Sequence, residues 1–113
     1  FVERDGAAAR VLGENLAALG IGSEAGELRR GEAAQALRSA RAAKETYDLV
    51  FIDPPYGQAR EWALELGALL PALLEPGARV AVESDRRGPL ELEMAIERQR
   101  RYGDTSITIH RYT

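Results

Sequence analysis

Asp53, Pro54, Pro55 and Tyr56 follow directly after the apolar run at residues 49–52, and their side chains are of types that can hold a planar amine. Each proline fixes its own backbone and restricts the residue before it, so the Asp53 carboxylate and the Pro54 carbonyl would be held rigidly. Both groups are acceptors, and together they could receive the two hydrogens of an NH2 group. The Tyr56 ring could stack on the base that bears the amine, whereas a purely structural interpretation is a stiff turn with a core tyrosine.

Three acids lie at or just beyond predicted strand ends. Glu3 ends the first strand, Glu32 follows a weak one, and Asp53 ends the strongest. In open parallel sheets ligands bind beyond the carboxyl ends of the strands, where a carboxylate can accept both hydroxyls of a ribose. Each acid alone could equally be a solvated residue or a helix cap, so this pattern leaves a nucleotide site open.

The elements that would position these residues alternate between helix and strand. Asp5 is a predicted cap for a helix that ends near Gly20, because apolar residues recur between them at helical spacing. Further helices are predicted over 32–43 and 59–70, with one more turn through 74; strands are predicted over 1–3, 27–30, 47–52 and 78–83, with a hairpin over 92–101 and 105–112. This order predicts an α/β fold, mostly parallel, with a C-terminal antiparallel hairpin.

Two residue environments can be predicted from the strand patterns. The unbroken apolar character of residues 47–52 predicts burial on both faces of that strand. His110, the only histidine, alternates with isoleucine in the last strand, and we expect it at the surface or at a sheet edge and not as a catalytic base.

Length and composition restrict the class of protein. A chain of 113 residues is long enough for one domain, and without an apolar run of membrane-spanning length or a secretory leader we expect a soluble, cytoplasmic protein with no membrane partner. The absence of cysteine excludes disulfides, thiolate metal sites and a cysteine nucleophile. The net charge of -3 argues against a uniformly positive surface, and a local basic cluster could contact RNA phosphates or be simply solvated: Arg86, Arg87, Arg98, Arg100 and Arg101.

The tetrapeptide at Asp53 resembles the (Asp/Asn/Ser)-Pro-Pro-(Tyr/Phe/Trp) motif of amino-methyltransferases that use S-adenosylmethionine. These enzymes carry it after the fourth strand of a Rossmann-like class I methyltransferase sheet. Together with their spacing, residues 1–5, 50–56 and 80–84 are most similar to the bacterial enzymes that methylate N2 of a guanine in 16S ribosomal RNA. The resemblance covers essentially the whole chain and implies this activity, with ribosomal RNA or the small ribosomal subunit as partner.

The resemblance also implies roles for individual residues. Those that would position the target base are Asp53, Pro54, Pro55 and Tyr56. Those that would bind S-adenosyl-L-methionine are Glu3, Arg4, Glu32, Ala33 and Asp53. Asp53 would orient the amine and stabilise charge that develops on its nitrogen, and the reaction implies no metal site.

One feature of these enzymes has no counterpart here. They carry a glycine-rich cofactor loop after their first, central strand, whereas Gly20 and Gly22 follow a helix instead of preceding one. The resemblance therefore implies that residues 1–113 are the C-terminal portion of a single methyltransferase domain, with the N-terminal part including the central strand missing. We expect such a fragment to bind cofactor weakly and to expose strand edges through which chains could pair.

The motif alone leaves other functions open. DNA adenine and protein glutamine also present planar amines, so methylation of either is an alternative to methylation of RNA. A third possibility is a noncatalytic α/β module that binds RNA or a partner chain.

Overall fold

The computed structural model describes residues 1–113, which form two compact units, Phe1–Ser39 and Ala40–Thr113. The first unit contains β1 (Val2–Glu3), α1 (Gly6–Ala18), β2 (Arg29–Arg30) and most of α2 (Ala33–Ala42). The second contains β3 (Tyr47–Ile52), α3 (Ala59–Leu69), a 3-10 turn (Leu70–Leu73), β4 (Leu74–Asp85), β5 (Ala95–Tyr102) and β6 (Thr105–Arg111). The predicted α/β class is confirmed. None of the helices combines the length and apolar character that crossing a bilayer requires.

The first unit is organised by a capped helix and a short parallel pair of strands. Asp5 has an extended backbone and accepts a hydrogen bond from the Ala8 backbone N–H at 2.8 Å, which satisfies one of the free donors at the start of α1. The helix ends before Gly20, whose φ of 70° suits a residue without Cβ. Strands β1 and β2 are parallel, with Glu3 opposite Arg30, so their carboxyl ends lie side by side.

The second unit contains a mixed four-stranded sheet in the order β3-β4-β6-β5. Strands β3 and β4 are parallel, and β4, β6 and β5 form antiparallel pairs, which confirms the predicted C-terminal hairpin. Strand β4 is paired on both sides, and Val80 and Val82 at its centre are at most 1% exposed. Leu70 and Leu73 from the 3-10 turn are buried as well and belong to the core of the unit.

The prediction that β3 is buried on both faces is wrong. Ile52 is buried, but Leu49 is 50% exposed and Phe51 is 76% exposed. Strand β3 lies at the edge of its sheet and pairs only with β4, so alternate side chains point away from the covered face. Apolar composition thus did not distinguish a strand covered on both faces from an edge strand with one covered face.

The prediction that His110 lies at the surface or at an edge is also wrong. Strand β6 lies between β4 and β5 and so is not an edge strand, and His110 is 2% exposed on the face of β6 that also carries the buried Ser106 and Thr108. The His110 Nδ1 atom is 3.2 Å from the Met94 carbonyl oxygen, and its Nε2 atom is buried without a hydrogen-bond partner. The isoleucines that suggested the core face of this strand are only half-buried on its other face.

Candidate functional site

Tyr56 lies at the tip of a tight turn that follows β3. The Gln58 backbone N–H donates to the Pro55 carbonyl at 3.2 Å, and Gly57 has a φ of 81°. A positive φ at the third residue of a turn closed in this way is typical of type II, which strongly favours glycine there. Tyr56 occupies the second position, and its side chain is 80% exposed. The interpretation of Tyr56 as a core residue is therefore wrong.

The turn forms one wall of an open cavity of about 400 Å³. Because Ile52 is paired with Val82 in parallel register, the carboxyl ends of β3 and β4 lie next to each other. The cavity is lined by residues that follow β3, by the last residues of β4 and the loop after it, and by two residues of the β5–β6 hairpin: Asp53, Pro54, Pro55, Tyr56, Gly57, Ala59, Glu83, Ser84, Asp85, Arg87, Gly88, Asp104 and Thr105. The four residues predicted to position a base are thus brought together at one pocket.

The lining of this pocket is rich in hydrogen-bond acceptors. Four carboxylates contribute to it, those of Asp53, Glu83, Asp85 and Asp104, against a single cation, Arg87. These acids do not form a cluster with the geometry of a metal site. Ionised carboxylates only accept hydrogen bonds, and they repel phosphate. The pocket therefore favours a ligand with N–H donors or a positive charge.

Asp85, Arg87 and Tyr56 form a connected hydrogen-bond network at the pocket. Arg87 donates to both carboxylate oxygens of Asp85, from Nε at 3.1 Å and from Nη2 at 3.0 Å, and its backbone N–H donates to Asp85 Oδ1 at 2.8 Å. Arg87 Nη2 also donates to the Tyr56 hydroxyl at 3.0 Å. The side-chain and backbone hydrogen bonds from Arg87 hold the pKa of Asp85 far below its usual value, and the Tyr56 hydroxyl lowers that pKa further.

Sequence reasoning missed this network. It treated Arg87 as a member of a basic cluster and gave Asp85 no role. The available signal was local: an aspartate two residues before an arginine, followed by Gly88, is typical of a turn in which the carboxylate accepts from the backbone. The structure has this turn, since the Arg87 backbone N–H donates to Asp85 Oδ1 at 2.8 Å, and the Gly88 N–H closes the backbone turn on the Asp85 carbonyl at 3.1 Å.

The first unit brings together four of the predicted cofactor residues at the carboxyl ends of β1 and β2. Glu3 Oε1 accepts from the Asp5 backbone N–H at 3.0 Å, which leaves Glu3 Oε2 free for a ligand. Arg4 Nη1 lies 3.5 Å from Glu32 Oε1, and both side chains are about two-thirds exposed. Ala33 is the first residue of α2. Asp53, the fifth residue, belongs to the second unit.

Comparisons with known proteins agree with this architecture. The family model described as conserved hypothetical protein 95 matches residues 1–111. A hypothetical protein of Thermus thermophilus is 28% identical, with a TM-score of 0.78 over 98% of this chain and 60% of the relative. A candidate methylase of Haemophilus influenzae is 26% identical, with a TM-score of 0.75 over 98% of this chain and 70% of that protein.

A more distant structure shares the fold alone. The rRNA methyltransferase aviRa of Streptomyces viridochromogenes is 24% identical, with a TM-score of 0.60 over 90% of this chain and 44% of that protein. No curated protein sequence matches the chain. The chain therefore spans about 60% of the length of the Thermus relative and less than half of the more distant enzyme.

Proposed function

We propose that this chain, which belongs to the conserved hypothetical protein 95 family, is part of a cytoplasmic methyltransferase that uses S-adenosyl-L-methionine to methylate N2 of a guanine in 16S ribosomal RNA. The observation that carries the proposal is the pocket at the ends of β3 and β4. There Asp53 and Pro54 lie beside Tyr56, whose ring is 80% exposed and thus free to contact a base.

The pocket suits an exocyclic amine better than a phosphate group. A guanine N2 group carries two hydrogens in the plane of the base, which matches the two acceptors offered by the Asp53 carboxylate and the Pro54 carbonyl. The other carboxylates of the lining favour positive charge, so they also suit an amine whose nitrogen becomes positive during methyl transfer. Tyr56 can stack on the face of the base because its ring is not packed into the core.

The first unit fits the nucleoside part of the cofactor. Glu3 keeps one carboxylate oxygen free at the carboxyl end of β1, where a ribose hydroxyl could donate to it. Arg4 follows β1 and pairs with Glu32, which lies with Ala33 just beyond the neighbouring end of β2, and we propose that these three residues contact the rest of the nucleoside. When bound, S-adenosyl-L-methionine supplies a methyl group that is already activated on a sulfonium ion.

The residues of the chain then have mainly a positioning role. Asp53 and Pro54 would accept hydrogen bonds from the two amine hydrogens and so orient the nitrogen lone pair toward the methyl carbon. As the carbon–nitrogen bond formed, the methyl–sulfur bond would break and the sulfur would leave as a neutral thioether. Tyr56 limits movement of the base by stacking. The Asp53 carboxylate stabilises the positive charge on nitrogen until a proton leaves to solvent.

A basic strand supports RNA as the substrate. Every residue of β5 is exposed, and the strand carries Arg98, Arg100 and Arg101. These arginines lie outside the acidic pocket and could contact the phosphates of an RNA whose target base enters it. The pocket would thus recognise the base, and the arginines would contact the phosphate backbone of the RNA.

Methyl transfer by the whole protein tests the proposal. Purified protein and S-adenosyl-L-methionine with a tritiated methyl group would be incubated with unmodified 16S ribosomal RNA, with DNA and with glutamine-containing peptide. We expect label in RNA at N2 of a guanine. At saturating cofactor, Asp53→Ala should reduce the single-turnover rate by about 100-fold, since loss of one oriented electrostatic contact costs about 3 kcal/mol.

A matched control separates the role of Asp53 from a general loss of charge. Asp48 is an exposed aspartate of β3, the strand that precedes Asp53, and does not line the pocket, so Asp48→Ala should transfer methyl groups at the normal rate. A near-normal rate for Asp53→Ala would contradict its proposed role. Label in DNA or peptide and not in RNA would show that RNA is not the substrate. Binding of RNA without any methyl transfer would favour a noncatalytic module.

A further inference from the structure

We propose that Asp85 and Arg87 are positioning residues that fix the Tyr56 ring beside the pocket, so that this chain uses the tyrosine hydroxyl as well as the ring. The consequence for methyl transfer rests on the proposed function, whereas the effect on the tyrosine ring does not. Tyr56 lies in the turn after β3, whereas Asp85 ends β4 and Arg87 lies in the loop that follows it. Arg87 and Tyr56 are 31 positions apart in sequence, so their hydrogen bond ties one wall of the pocket to the other.

Tyr56 needs an external contact because packing does little to hold it. Its ring lies at the tip of a turn with 80% of its surface exposed, and such side chains exchange rotamers on the picosecond to nanosecond timescale. A ring that must stack on an incoming base loses this freedom on binding. The 3.0 Å hydrogen bond from Arg87 Nη2 to the hydroxyl restricts the ring before the base arrives.

Arg87 is itself held in place, which a clamping residue requires. Its guanidinium pairs with both oxygens of Asp85, and its backbone N–H donates to the same carboxylate, so the side chain is tied at two points. Asp85 is the last residue of β4, opposite Thr105 of β6, and its side chain is only 17% exposed. The chain of contacts thus runs from a strand paired on both sides, through Asp85 and Arg87, to Tyr56.

A different role for Arg87 is contact with an RNA phosphate. Its neighbour Arg86 provides the comparison, because it lies on the same loop, is exposed, and has no side-chain hydrogen bond or ion pair. Arg86→Ala and Arg87→Ala remove the same charge from nearly the same place. Only Arg87→Ala removes the contact with Tyr56.

A double-mutant cycle in the whole protein measures the coupling. Tyr56→Phe and Arg87→Ala should each reduce kcat/KM for RNA by about two- to five-fold, as expected for an exposed charged hydrogen bond, and the double variant should lose no more than either single variant. The KM for cofactor should stay unchanged. Arg87→Lys keeps the charge but lacks the planar fork, so it should not restore activity. Multiplicative losses in the double variant, normal activity of Tyr56→Phe, or an equal loss in Arg86→Ala would overturn the proposal.

Tyrosine ring dynamics test the clamp without reference to activity. NMR relaxation of 13C-labelled tyrosine rings, with the Tyr56 signal assigned from the Tyr56→Phe spectrum, should show a restricted ring in the unaltered chain. Arg87→Ala and Asp85→Asn should increase its mobility, and Arg86→Ala should not. A Tyr56 ring that is equally mobile in all these proteins would refute the clamp even if methyl transfer is confirmed. A restricted ring in an inactive protein would instead refute the proposed function alone.

Discussion

Replacement of Tyr56 by alanine separates a base-stacking role from a structural one. A buried tyrosine removes about 150–250 Å² from water, and Tyr56 is 80% exposed. Only about a fifth of that area, roughly 40 Å², is therefore lost, which at about 25 cal/mol per Å² corresponds to about 1 kcal/mol. We expect Tyr56→Ala to lower the free energy of unfolding by no more than about this amount.

The expected loss in activity is larger. Stacking of a base on an aromatic ring contributes about 1–3 kcal/mol, so Tyr56→Ala should reduce kcat/KM for RNA by roughly 5- to 150-fold. Urea unfolding gives the stability, and transfer to unmodified 16S ribosomal RNA gives the activity. Tyr102→Ala is the matched control, because Tyr102 is also exposed, at 62%, but does not line the pocket.

One combination of results would refute this reasoning. If Tyr56→Ala lowered the free energy of unfolding by about 3 kcal/mol or more, as truncation of core aromatics does, and its folded fraction still transferred methyl groups at the normal rate, Tyr56 would have a structural role. Equal losses of activity in Tyr56→Ala and Tyr102→Ala would also remove the special role of the pocket tyrosine.

Three further predictions concern other parts of the two units. Glu3→Ala should weaken cofactor binding by about 2 kcal/mol through loss of a charged acceptor; unchanged affinity in calorimetry would leave Glu3 with only its contact to the Asp5 backbone. Gly57→Ala should lower the free energy of unfolding by about 1–2 kcal/mol because of its positive φ, whereas Gly88→Ala, also without close neighbours, should not. The Asp85 pKa is lowered by its hydrogen bonds from Arg87, so the stabilisation from this ion pair is fully present above the usual aspartate range. It is lost only as pH falls through the lowered pKa. The NMR signals of Tyr56 should therefore stay constant as pH falls from 7 to about 4, and a transition within that range would contradict the pairing.

Local signals in the sequence predicted the elements well. Asp5 and Gly20 fixed both ends of α1, because a capping carboxylate and a residue with positive φ act within one turn. The apolar run of β3 was predicted with its observed bounds, Tyr47–Ile52. The hairpin predicted over 92–101 and 105–112 has its turn where the structure has it, at Gly103 and Asp104 between β5 and β6.

Local sequence signals could not predict the order of the strands in the sheet. Whether β3 is central or at an edge depends on which strands pair with it, and no residue of β3 encodes that choice, so the exposure of Phe51 was not predicted. The burial of His110 was missed for a related reason, because whether that face of β6 is covered depends on residues distant in sequence, such as Met94, whose carbonyl oxygen lies 3.2 Å from His110 Nδ1.

The candidate site was predicted in part. Asp53 and Tyr56 were expected at one site because the prolines between them impose local constraints, and both residues line the pocket, whereas their roles in binding a base stay predictions. The contact of Tyr56 with Arg87 was not predictable in this way, because it depends on the parallel register that sets the ends of β3 and β4 side by side.

The unequal pairing of β3 and β4 has a consequence for local opening. The backbone amides of β4 are bonded within a strand that has neighbours on both sides, whereas β3 has a single neighbour in its sheet. Amide protons at an edge exchange with solvent through small, low-energy fluctuations, while those of a central strand exchange only when a larger cooperative segment opens. The turn that carries Asp53 and Tyr56 therefore follows a strand that opens more easily. The loop that carries Arg87 follows a strand that opens only with a larger part of the sheet.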